Sequence, residues 1–119
     1  MTVTGRQGRV LEPVEPDAAS GAPRELLRSP GTFALRVRGD SMAAEQLRDG
    51  DLILARSAPA ARDGDTVVAL VRGEPSVRQY HRRDGKVVLR SAGEGLAPIV
   101  AAEEEVEIRG VVVAVVRKY

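Results

Sequence analysis

From Thr32 onward the chain alternates short apolar runs with turn residues, and this spacing restricts the fold more than any other feature of the sequence. Runs at 33–37, 52–55, 66–71, 76–80, 86–90 and 106–116 are rich in Val, Leu and Ile and are spaced as strands. Between them stand Arg48-Asp49-Gly50-Asp51, Arg62-Asp63-Gly64-Asp65, Arg72-Gly73-Glu74-Pro75 and Arg83-Asp84-Gly85-Lys86. The Asp-Gly steps supply residues that tolerate positive φ, as tight turns require. The pattern predicts an all-β domain, mainly strands with short helical turns, of sandwich or barrel type. Only 42–47, 57–61 and 101–105 leave room for a helical turn. A chain of 119 residues, 43% hydrophobic, can bury one core but not two.

The first 31 residues differ. They hold four of the seven prolines (Pro13, Pro16, Pro23 and Pro30) and few bulky apolar side chains, so they cannot offset their ordering entropy unaided. The expected organisation is an extended arm over 1–31 and a domain over 32–119. Proline favours extended backbone, so the arm can lie in a groove as a strand; a disordered tail is the other reading, and both stay open.

Composition excludes several functions. With 18 Lys/Arg against 17 Asp/Glu and no long block of one sign, direct DNA binding is not expected. Cysteine is absent and His81 is the lone histidine, which rules out disulfides, thiol catalysis and Cys- or His-rich zinc sites; no cofactor or metal is expected. Asp49, Asp51, Asp63 and Asp65 read as turn chemistry rather than a metal cluster, and Glu103-Glu104-Glu105 as a solvated turn. No apolar run is long enough for a membrane span and no secretion signal opens the chain, so a soluble cytoplasmic protein is the default expectation.

The segment Gly39-Asp40-Ser41-Met42 ends a predicted strand. A serine at such a junction can project its hydroxyl while the backbone N–H groups around Asp40 and Met42 stabilise an oxyanion; the commoner role is a turn or cap. Its context changes the balance. Gly39-Asp40-Ser41-Met42, Arg48-Asp49-Gly50-Asp51-Leu52, Gly64-Asp65-Thr66-Val67-Val68, Gly73-Glu74, Val77, Pro98-Ile99 and the closing 110–117 together resemble, in order and spacing, the self-cleaving Ser-Lys peptidase domain of LexA- and UmuD-type proteins. The resemblance covers about 87 of the 119 residues and implies the β-fold of LexA C-terminal domains, shared with signal peptidases.

The resemblance also implies an activity: cleavage of one bond in the preceding arm, stimulated by a RecA filament after DNA damage. Ser41 matches the nucleophile. The family's base is a buried lysine kept neutral by desolvation, and the matching position, directly after Val77, holds Arg78. A guanidinium stays protonated and cannot take the serine proton. Three readings stay open: a natural inactive relative, an engineered inactive variant, or a shifted alignment with another base. Lys86 falls in a predicted turn, and His81 lies on the opposite strand face from Arg78.

The family's scissile bond is Ala-Gly or Cys-Gly. Here Gly8-Arg9-Val10 resembles the residues before that bond, but Leu11-Glu12-Pro13 follows, and no Ala-Gly or Cys-Gly pair precedes Ser41. Base and bond both depart from the pattern, which favours a non-cleaving regulatory module. An active serine autopeptidase and the dimerisation fragment of a LexA-type repressor are the alternatives. The resemblance further implies a homodimer, with a RecA filament or a DNA polymerase as a possible partner. The apolar run Val111 to Val116 is expected to be buried on both faces, as a central strand or as an edge completed by a partner. With the sequence starting at Met1, a winged helix-turn-helix is not expected, and on that expectation UmuD-type proteins are the nearest full-length analogy.

Overall fold

The computed structural model describes residues 3–5, 8–14, 30–39, 46–91 and 97–117. Every apolar run becomes a strand: β3 (Thr32–Val37), β4 (Leu52–Ser57), β5 (Thr66–Val71), β6 (Glu74–Arg83), β7 (Lys86–Arg90) and β9 (Val106–Val116). Three strands go beyond those runs: β1 (Val3–Gly5), β2 (Gly8–Val14) and β8 (Ile99–Ala102). All neighbours pair antiparallel, in the order β1-β2-β3-β4-β9-β5-β6-β7-β8.

Local turn chemistry sets the hairpins. Arg72 and Gly73 (φ 50° and 83°) join β5 to β6, and Asp84 and Gly85 (φ 52° and 76°) join β6 to β7. Positive φ at both central residues is the two-residue hairpin geometry that matches strand twist. Arg72 adopts it despite its side chain. Its N–H donates to the Glu105 carbonyl at 2.9 Å, and its Nε reaches the Glu105 carboxylate at 2.6 Å. Glu105 belongs to a 3-10 turn, Glu103–Glu105, and Glu103 pairs with Arg82, so this acidic run is tied to two hairpins rather than merely solvated. No helical turn forms at 57–61, because β4 continues through Ser57 and the chain then runs irregularly to the next turn.

β9 gives the sheet its curvature. Its register slips against β4 between Leu54 and Ala55, and against β5 between Val68 and Ala69. Such bulges bend and twist a strand. Gly110 lies between them, where a Cβ would stand 2.8 Å from the Arg56 carbonyl oxygen and 2.9 Å from the Phe33 ring. The sheet curls until β1 comes back against β6. One face gathers Leu11, Leu35, Val37, Leu47, Ile53, Ala55, Val68 and Val77. The other carries a second core around Val67, Ala69, Val71, Tyr80, Leu89 and Ala101, and a smaller one around Ala34, Leu52 and Leu54.

Residues 8–14 of the arm join this sheet. β2 pairs with β3 from Leu11 opposite Val37 to Val14 opposite Ala34, and Leu11 is fully buried. Burial of such a leucine is worth about 2 kcal/mol, which a proline-rich segment could not obtain alone. Glu12 and Arg38 form an ion pair beside it at 3.2 Å.

The expectation for the closing run needs correction. Val113 and Val115 are 42% and 45% exposed, so the strand is not buried on both faces within this chain. β5 accompanies β9 only as far as Val111, whereas β4 follows it to Val116. The strand therefore has both neighbours only at 110–111; it pairs with β5 alone over 106–109 and with β4 alone over 112–116, where the bulge at Val113 falls.

Candidate functional site

Arg78 sits mid-strand on β6, opposite Val67 of β5, in a ladder that keeps regular register from Glu74 to Arg83. Strict alternation places Ser76, Arg78 and Tyr80 on one face and Val77, Gln79 and His81 on the other. Val77 enters the core that also holds Val37 and Leu47, while Tyr80 enters the opposite one. The half-buried Arg78 lines a groove of about 410 Å³ with Val71, Arg72, Glu74, Pro75, Ser76 and Ile99. Its Nη1 donates to the Ala97 carbonyl at 3.4 Å, next to the Pro98-Ile99 element.

Asp40, Ser41 and Met42 lie outside the described residues. Their flanks are well held. The Gly39 N–H donates to Asp49 Oδ1 at 2.8 Å, and Gly39 has φ 76°. On the far side Gln46 adopts φ 63°, its carbonyl accepts from Arg117 Nη2 at 3.1 Å, and Leu47 is buried in the core. Asp51, 2% exposed, takes both Nε and Nη2 of Arg117 at 2.9 and 2.7 Å, plus the Arg48 N–H at 2.8 Å. The Arg117 guanidinium holds the Asp51 carboxyl below the usual carboxylate range, against the opposing push of burial.

The other sequence candidates for a base lie elsewhere. His81 points away from the Arg78 face, with Nε2 3.0 Å from Gln79 Oε1. Lys86 is exposed at the first position of β7, one residue past the turn. The four turn aspartates are each committed to turn or arginine contacts: Asp49 to Gly39, Asp51 as above, Asp63 to Arg82 and Arg83, Asp65 to the Arg62 N–H.

Two residues of the site went unnoticed in the sequence. Ser76 is 3% exposed and its Oγ has no hydrogen-bond partner among the described residues. An unsatisfied buried hydroxyl costs about 1–3 kcal/mol. The i, i+2 relation to Arg78 on one strand was the clue available. Arg117 carried none, because its partner is 66 residues away.

The region where the family's bond would fall is also in view. Leu11 and Glu12 stand in β2, paired with Val37 and Arg36.

Comparison with known proteins places the chain among relatives of one family. A family model described as Peptidase S24-like matches residues 5–113. The LexA repressor of Syntrophobacter fumaroxidans is 39% identical over 112 residues, covering 94% of this chain and 54% of that protein. The LexA repressor of Novosphingobium aromaticivorans is 40% identical over 113 residues, covering 94% and 48%. That of Thermotoga neapolitana is 42% identical over 87 residues, covering 73% and 42%. The chain thus spans about half the length of the curated relatives it matches. Among the described residues no helix is long and apolar enough to cross a membrane.

Proposed function

The chain belongs to the Peptidase S24-like family, and from that premise we propose that it is a LexA/UmuD-type regulatory module of the DNA-damage response that does not cut its own arm. The observation that carries this reading is Arg78. It occupies the position of the family's lysine base, and a guanidinium cannot deprotonate Ser41 at any ordinary pH. The pairing of Leu11 and Glu12 within β2 supports the same reading from the substrate side.

Without cleavage, the module acts through contacts. A second copy of the chain would pair along the 112–116 edge of β9, covering Val113 and Val115. A RecA filament or a DNA polymerase is the further partner class that the family relation suggests. The coverage of the LexA relatives favours a second reading, in which this is the regulatory and pairing half of a LexA-type repressor.

Incubation of the purified chain at alkaline pH, followed by mass spectrometry, tests the central point. The wild type is expected to stay intact. A shortened product that disappears in Ser41→Ala would overturn the reading. If cleavage appears only in Arg78→Lys, the groove and arm are competent and the arginine alone blocks the reaction.

A further inference from the structure

Beyond β5 the sheet ends in β6, β7 and β8, whose two faces differ. Val87, Leu89 and Ala101 turn inward to a core. The alternate residues form cross-strand rows on the opposite face, with His81, Val88 and Val100 in one and Arg83, Lys86 and Ala102 in the next. This face is open. Val100 is 51% exposed, Val88 and His81 are half-buried, and Lys86 and Arg90 are exposed on either side of Val88. β8 is also the last strand of the sheet, and no strand pairs with its outer edge among the described residues. We propose that this edge takes an extended acidic segment of a partner protein as an added strand, with an apolar side chain of that segment seated against Val100 and an acid two residues to either side. The proposal does not depend on Arg78 or Ser41.

Charge and register select this partner. Arg83 and Lys86 stand directly opposite each other, an arrangement of like charges that a sheet disfavours. Asp63 relieves Arg83 at 2.7 Å, but neither Lys86 nor Arg90 pairs with a carboxylate among the described residues. The acids that follow β8 do not meet this need: Glu105 is taken by Arg72 and the Ala102 N–H, Glu103 by Arg82, and Glu104 lies past the end of the strand. A strand added to β8 gains hydrogen bonds from its free edge and turns every second side chain to this face. The residue beside Val100 then lies in line with Val88, and those two before and after it lie in line with Lys86 and Arg90. Both cations stand two strand spacings away, roughly 10 Å, a gap that a long basic side chain and a glutamate close between them. No aromatic side chain stands in these rows on which a base could stack, so a nucleic-acid strand fits the face less well.

Nuclear magnetic resonance titration of the isotope-labelled full chain with acetyl-Thr-Glu-Thr-Val-Thr-Glu-Thr-amide tests this. Amide shifts and slowed hydrogen exchange are expected over Ile99–Ala102, with binding about fivefold tighter than for the same peptide carrying Gln in place of Glu. Val100→Asp, at an exposed position, should weaken binding about tenfold with an unchanged melting temperature. The double variant Lys86→Glu with Arg90→Glu should reverse the order and prefer a peptide carrying Lys in place of Glu. No binding of the acidic peptide at millimolar concentration, equal binding of the Glu and Gln peptides, shifts centred away from β8, or an unchanged order in a natively melting double variant would each overturn the proposal. Tighter binding of single-stranded oligothymidylate would overturn it too, by making the face a nucleic-acid site. So would a dimer in sedimentation that Val100→Asp dissociates, which would give the face to a second copy of the chain.

Discussion

The turns Arg48–Asp51 and Arg62–Asp65 have the same four residues and nearly the same backbone, yet they do different work. In each, the last N–H donates to the first carbonyl at 3.0 Å, and the closing aspartate accepts the first N–H (Arg48 to Asp51, 2.8 Å; Arg62 to Asp65, 3.0 Å). The glycines have φ 91° and 93°. Each turn also clasps one residue of a neighbouring strand. Val37 exchanges backbone hydrogen bonds with Gly50 and Asp51, as Tyr80 does with Gly64 and Asp65. Two residues further on, the N–H of Gly39 meets Asp49 and that of Arg82 meets Asp63. After Val37, however, the chain leaves the sheet toward Ser41, whereas after Tyr80 it continues along β6 into a hairpin. Only the first turn is reached by an arginine from the end of the chain: Arg117 locks Asp51, and no counterpart reaches Asp65 among the described residues. One local device therefore ends a strand at Val37 in one place and props the middle of a strand in the other.

Asp51→Ala should show the difference most strongly. It removes one partner of a buried pair and is expected to cost about 3 kcal/mol in urea unfolding, against about 1 kcal/mol for Asp65→Ala. Equal losses would break the comparison. Arg117→Gln comes next, at about 2 kcal/mol at neutral pH, and it also tests the sign of the pH dependence. Because Asp51 has a lowered folded-state pKa, its contribution is full above the unfolded value of about 3.9 and fades as pH falls through the folded value. The wild type should therefore lose this increment below about pH 4, and Arg117→Gln should show a flatter acid limb in midpoints followed by circular dichroism.

Gly50→Ala and Gly64→Ala sharpen the comparison from its shared side. Both positions have positive φ and open space for a Cβ, so each substitution should cost about 1 kcal/mol of backbone strain, and the two should agree in thermal unfolding. Asp63→Ala should have the smallest effect. The exposed carboxylate is held below the usual range by hydrogen bonds from Arg83 and from the Arg82 N–H. Its loss should speed hydrogen exchange at Arg82 and leave Gly39 protected, with little change in midpoint.

Much of this was legible in advance, for a physical reason. Strand existence follows from short-range pattern, and β3 to β7 and β9 follow apolar runs that need only neighbours in sequence to be recognised. Both hairpin turns follow from Gly73 and Gly85, with Asp84 tolerant of positive φ, whereas Arg72 is held in it by contacts to Glu105 that the local sequence does not show. Arg78 as a misfit for proton transfer is likewise a matter of side-chain identity. By contrast, β2 carries proline and charge, and its strand is stabilised by Leu11 entering a core built from residues far along the chain.

The sequence by itself determined an all-β chain, the positions of its turns and the presence of an arginine that cannot act as a base, because these depend on backbone preference and covalent chemistry. Tertiary structure alone decided that Arg117 would lock Asp51, that Ser76 would be buried beside Arg78, and that Val113 and Val115 would face outward. Each of those depends on which distant strands meet, on a bulge that changes a side chain's face, and on where a neighbouring strand stops. No local periodicity encodes them.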